Sequence, residues 1–271
     1  MPEQQIVLPF LKWAGGKRWL VKDHPDIFPK KFNTYIEPFL GSGSVFFHLK
    51  PEQALLSDTN QELITTYKAI RNRNRKVRAL LEEYHQKHSK EFYYFMRAQT
   101  PITQEEVAAR IIYLNRTCWN GLYRVNLSGQ FNVPIGTKKN VILESDDFSA
   151  TAKLLRRSEV IHSDFEAMID RAQENDFVFV DPPYTVKHNL NGFVKYNEHL
   201  FSWEDQVRLK NSIDRATARG AKVLLTNAHH ESILDLYKDY IGHNTLSRNS
   251  VLSGKSQYRG KYEELTICCW A

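Results

Sequence analysis

Cysteine is scarce: Cys118, Cys268 and Cys269 are the three in 271 residues. None stand in a Cys-x-x-Cys spacing, and an adjacent pair is not a zinc pattern. That usage fits a reducing, cytosolic setting. The opening "MPEQQIVLPF" lacks the basic start and long apolar core of a secretory signal. No apolar run approaches membrane-spanning length, so a soluble, cytoplasmic protein with no membrane partner is expected. There is no internal repeat and no low-complexity tract. The glycine-rich stretch is neither the dinucleotide G-x-G-x-x-G nor a P-loop, which would need a following Lys and Ser/Thr. What is present is a hydrophobic fraction of 42% and an aromatic fraction of 12%, ample for a core, and a net charge of +6 that suits a polyanionic partner. The length allows one large domain or two modest ones.

The stretch "TYIEPF" (34–39) reads as a strand that runs into "LGSGSVFFHL", a glycine turn opening a helix; "ALLSD" then reads as a second strand ending at Asp58. Residues 61–117 show helical spacing and no convincing strand. "CWNGLYRVNLSGQFNVPIG" (118–136) reads as a hairpin with a longer loop. From about residue 150 the α/β alternation returns, with strands at "EVIHSD", "FVFVD", "KVLLTN" and "YEELTICCW" and helices near 165–174, 203–219 and 231–240. A parallel-sheet domain (1–60 and 151–271) interrupted by a mostly helical segment (61–150) is expected.

Four features carry chemistry. In "FVFVDPPY" a buried strand runs into two prolines that cannot continue it. Asp181 therefore stands at the carboxyl edge of a sheet, where α/β folds bind ligands. The Asp181 carboxylate and Pro182 carbonyl offer two acceptors and Tyr184 a flat face, a combination suited to a planar amine. "EPFLGSGS" lets the backbone come close to a ligand at Gly41 and Gly43, although a plain tight turn suits it as well. Asp58 can accept from both hydroxyls of a ribose, and "SDTNQE" is also good helix-capping chemistry. "FLKWAGGKR" (10–18) alone is a basic, glycine-containing turn.

The order Lys-Trp-Ala-Gly-Gly-Lys, Glu-Pro-Phe-x-Gly-x-Gly, Asn-Gly-Leu-x-Arg-x-Asn, Phe-Asn-Val-Pro and Asp-Pro-Pro-Tyr resembles the Dam-type DNA adenine-N6 methyltransferases, over residues 10 to about 267. The resemblance implies a Rossmann-like methyltransferase sheet with an inserted, mostly helical DNA-recognition domain carrying a β-hairpin. It implies S-adenosylmethionine as cofactor and double-stranded DNA, with GATC as target, as partner. It implies no metal, no obligate protein partner, and a prokaryotic or phage source. Trp13, Lys17, Glu37, Phe39, Gly41, Gly43, Asp58, Asp164, Phe165 and Asp181 would hold the cofactor. Asp181, Pro182 and Tyr184 would engage a flipped adenine, since a base inside a duplex cannot present its amino group to a pocket. Arg124 matches the guanine-reading arginine of the family, flanked by Asn120 and Asn126, with Trp119, Pro134 and Lys12 as further DNA contacts. Core packing is the alternative reading for Trp119. Many relatives carry a Pro-Leu-Ser-type loop after the Asp-Pro-Pro-Tyr motif; this chain has "TVKHNLNGFVKYNEHLFSWEDQ". An RNA or cytosine-N4 methyltransferase and a DNA-binding regulator without catalysis are the rival readings.

Overall fold

A computed structural model describes residues 7–126, 128–185, 201–249 and 261–270. The described strands are β1 (Tyr35–Glu37), β2 (Ala54–Asp58), β3 (Ser158–His162), β4 (Phe177–Val180), β5 (Lys222–Ala228), β6 (Gly242–Asn249) and β7 (Lys261–Cys268). The described helices are α1 (Arg18–Asp23), α2 (Ser44–Leu49), α3 (Gln61–Lys87), α4 (Lys90–Ala98), α5 (Gln104–Thr117), α6 (Phe148–Leu155), α7 (Phe165–Ile169), α8 (Trp203–Ala218) and α9 (Glu231–Leu236). The architecture is mixed α/β. Two compact units emerge, one of Met1–Val21, Leu40–Glu52 and Asn60–His162, the other of Lys22–Phe39, Gln53–Thr59 and Ser163–Ala271.

In the second unit six strands lie in the order β2-β1-β4-β5-β7-β6. Strand β1 pairs in parallel with both β2 and β4, and β4 with β5, whereas β7 runs antiparallel between β5 and β6. All four residues of β4 and all three of β1 are buried, as the unbroken apolar runs require of central parallel strands. Helix α8 begins with a capping box between Ser202 and Asp205. It then places Leu209, Ile213 and Ala216 at helical intervals, in one core with Val178, Val180, Val223 and Leu225. Chain order reverses between β1 and β4, and the carboxyl ends of strands flanking such a switch point leave a crevice.

In the first unit, α3 and α5 run antiparallel: Arg110 reaches Glu62 near the start of α3 (3.3 Å), and Glu105 reaches Arg73 further along it (3.7 Å). Leu63, Tyr67, Ile70, Val77 and Leu81 form the buried stripe of α3. The ladder of α3 is broken at Arg73, where φ is −138° and ψ is 28°. Helix α5 carries its own capping box, Thr103 with Glu106, and residues Ala108–Thr117 are all buried.

The region read as a hairpin is more irregular than a regular ladder. Its arms meet through isolated antiparallel bridges, Cys118 to Ile135 and Val125 to Phe131. A 3-10 turn at Trp119–Gly121 interrupts the first arm. The edge strand β6 has no counterpart among the expected strands. "GHNTLSRN" is polar apart from Gly242 and Leu246, and among the described residues it pairs on one side only, with β7, where no apolar alternation is demanded.

Candidate active site

Three acids stand at the carboxyl ends of parallel neighbours in the second unit: Glu37 closes β1, Asp58 closes β2 and Asp181 directly follows β4. Glu37 is 3% exposed and accepts a hydrogen bond from the phenol of Tyr35 (2.9 Å). Burial, followed by the Glu37 charge, pushes the Tyr35 phenol well up, so it remains a donor. The capping role weighed for Asp58 belongs instead to Asn60, whose side chain accepts from the Leu63 amide (2.9 Å).

Asp181 is oriented from β5: the Thr226 hydroxyl donates to its Oδ1 at 2.7 Å. Thr226 is fully buried. The Pro182 carbonyl lies beyond Val180, the last paired residue of β4. Tyr184 is held by its phenol, which donates to Glu264 of β7 (2.8 Å), itself 2% exposed. The backbone after Tyr184 is fastened by a buried polar relay. Thr185 donates to the Phe201 carbonyl (2.7 Å), Gln206 donates to the Thr185 carbonyl (3.2 Å), and Asn227 donates to Gln206 (3.1 Å). Satisfied buried networks of this kind fix one backbone path. The loop that departs from the family pattern lies mostly at 186–200, outside the described residues.

Asp164 caps α7 by accepting from the Glu166 amide (3.0 Å) and pairs with Arg208 (2.7 Å). Phe165 is buried, stacked on Phe39 at 5.4 Å between centroids, with the Arg208 guanidinium 4.5 Å over its ring.

The first unit holds the glycine turn. Gly41 and Gly43 have φ of +48° and +63°, a region side chains rarely tolerate. A Cβ on Gly41 would come within 2.9 Å of the Trp13 indole. Tyr67 donates to the Gly41 carbonyl (3.1 Å). Lys17 is 2% exposed and its ammonium donates to the Gly15 carbonyl (2.9 Å). Trp13 also stacks on Tyr123, with centroids 4.9 Å apart and planes 22° apart, and Tyr123 donates to Glu62 (2.9 Å). The turn and the residue beside Arg124 therefore share one indole.

Within this unit the side chains assigned to DNA lie along the two arms. Arg124, Asn120, Asn126 and Pro134 are exposed, and Trp119 is 47% exposed, not a packed core residue. Arg124 Nε donates to Asn132 (2.9 Å) across the arms, which aligns its guanidinium. Asn126 organises the loop by accepting from the Ser128 and Gln130 amides (3.0 and 2.9 Å). Lys12 donates to the Asn120 carbonyl. Asn115, 3% exposed, accepts from the Lys12 amide and donates to the Lys12 and Gly121 carbonyls (2.9, 2.7 and 3.1 Å). Asn115, Thr226 and the Gln206 relay escape a motif reading because their roles rest on partners distant in sequence. The polar Asn at the end of a buried helix is the one signal that marks Asn115.

The strand ends set three acids beside a switch point, and comparison with known proteins gives the family. The model of the D12 class of N6 adenine-specific DNA methyltransferases matches residues 13–253, and the chain belongs to that family. It is similar to the type II methyltransferase M1.LlaDCHI of Lactococcus lactis subsp. cremoris, 36% identical over 268 residues covering 96% of this chain and 94% of that protein. It is also similar to the type II methyltransferase M.MjaIII of Methanocaldococcus jannaschii, 32% identical over 96% of this chain and 99% of that protein. The DNA adenine methylase of Escherichia coli is 31% identical over 94% and 93% of the respective lengths. No helix among the described residues is long and apolar enough to cross a membrane.

Proposed function

We propose that this enzyme methylates the N6 atom of an adenine flipped out of double-stranded DNA, within a short site of GATC type, using S-adenosylmethionine in the cytoplasm. The observation that carries the reading is Asp181 at the end of β4, beside the switch point, with its carboxylate fixed by Thr226.

On this reading, Asp181 and the Pro182 carbonyl accept the two N–H groups of the exocyclic amine, which draws the nitrogen lone pair out of the ring. Tyr184, tied to Glu264, presents its ring for stacking, which contributes about 1–3 kcal/mol per base. Orientation and fixed dipoles are the protein's contribution. S-adenosylmethionine supplies an electrophilic methyl group when bound. The residues present suit that cofactor. Gly41 and Gly43 give a turn closed to any side chain on Gly41, and Asp58, at the end of β2, suits the ribose hydroxyls. The resemblance adds Glu37, Phe39, Asp164, Phe165, Trp13 and Lys17 to the assignment. Residues 1–60 and 151–271 form the catalytic portion, and 61–150 the recognition portion.

Arg124 reads a guanine in the major groove through the two terminal nitrogens of its fork, its Nε being held by Asn132. Asn120, Asn126, Pro134, Trp119 and Lys12 surround that contact. The test is incubation with labelled cofactor and duplex, followed by base-resolution mapping. N6-methyladenine at one repeated sequence is expected; N4-methylcytosine, or label on RNA alone, overturns the reading.

A further inference from the structure

The break in α3 faces a solvent-open cavity of about 690 Å³ in the first unit. Residues 72–76 all line it, together with Gln104 of α5, Ser149 of α6 and Arg156 just after α6. Five consecutive residues sweep about 400° around a regular helix and cannot all face one side. The non-helical Arg73 breaks that regular sweep. Its lining includes four basic residues, Arg73, Arg75, Lys76 and Arg156. Glu105 meets Arg73 (3.7 Å) and Lys76 (3.5 Å). Arg75 and Arg156 have no ion pair among the described residues. The remaining lining, Asn72, Asn74, Gln104 and Ser149, is hydrogen-bonding. Gln104 and Ser149 lie in the first turns of α5 and α6, whose amide ends favour negative charge.

A regular solvated helix face would spread such residues apart; here they border one cavity beside a backbone irregularity. We propose that this cavity is a second DNA contact, binding backbone phosphates of the duplex flanking the recognised sequence. The proposal rests on the reading of the protein as a DNA methyltransferase. Glu62, which holds Tyr123 beside Arg124, precedes Arg73 by eleven residues, or about 17 Å of helix. For a duplex running along α3, at about 3.4 Å per base pair, the contact lies about five pairs beyond the base read by Arg124. Phosphate contacts of this kind carry no sequence information.

The test compares the parent with the triple variant R73Q/R75Q/R156Q. The duplexes carry about four or about fifteen base pairs on each side of the target, titrated across a salt series. For the long duplex, the slope of log affinity against log salt is expected to fall by about 2–3, at about 0.9 per phosphate. The parent's preference for the long duplex is expected to disappear, while affinity for the short duplex and its single-turnover methylation rate stay at parental values. R73K/R75K/R156K is expected to restore the slope, which separates lost charge from lost fold. An unchanged slope on the long duplex, or equal losses on both lengths, overturns the cavity's role while leaving the functional reading intact. A parent that binds neither duplex overturns both.

Discussion

Thr226→Val removes a hydrogen bond that orients the proposed catalytic carboxylate. Thr226 is fully buried on β5 and its hydroxyl lies 2.7 Å from Asp181 Oδ1. A hydrogen bond to a charged group contributes about 1.5–3 kcal/mol. If that contribution is expressed in the transition state, its loss slows methyl transfer about 10- to 150-fold. Asp181 is only half-buried, so water can replace part of the donor, and the lower end of the range is expected. The assay is single-turnover transfer from labelled cofactor to duplex, with duplex affinity measured in parallel. The rate should fall while affinity holds, because Thr226 is buried within β5. Thr226→Ser keeps the hydroxyl and should recover most of the rate. A valine variant within about twofold of parent, or a serine variant as slow as valine, refutes the positioning role.

Arg124→Ala should cost about 1–3 kcal/mol of discrimination at one guanine position, read by competition between duplexes substituted at that position; an equal loss on all sequences makes it a phosphate contact. Gly41→Ala forces a side chain into a left-handed φ of +48° and to 2.9 Å from the Trp13 indole. The backbone strain alone is about 1–2 kcal/mol, so cofactor affinity and melting temperature should both drop, and unchanged cofactor titration contradicts the assigned turn. Burial pushes the Cys118 thiol up to about 11. Because its folded value lies above the unfolded one, its contribution to stability is full below about pH 8.5 and lost as pH rises through about 11. Cys118→Ala should flatten that alkaline loss in denaturant melts, and native alkylation of Cys118 at neutral pH should be slow.

The sheet was legible where residue type and burial agree. "FVFV" is apolar throughout because β4 is covered on both sides, and "ALLSD" matches β2 residue for residue. Prolines 182 and 183 marked the end of β4 because neither can serve a ladder. β6 was not legible, because an edge strand held by one neighbour needs no apolar code. Nor was the break at Arg73: "RNRNRK" contains no glycine or proline to mark it. The candidate acids were visible as strand-end residues. Their supports Thr226 and Tyr35, and the Glu264 and Gln206 contacts that hold Tyr184 and the backbone after it, were not, since each is an ordinary strand or helix residue until its partner is placed.

The most direct test of the central claim pairs DNA binding with turnover in Asp181→Ala, using the duplex methylated by the parent. Retained duplex affinity with methyl transfer abolished is the predicted result. Transfer at the parental rate would contradict the assignment of the amine-gripping carboxylate to the end of β4.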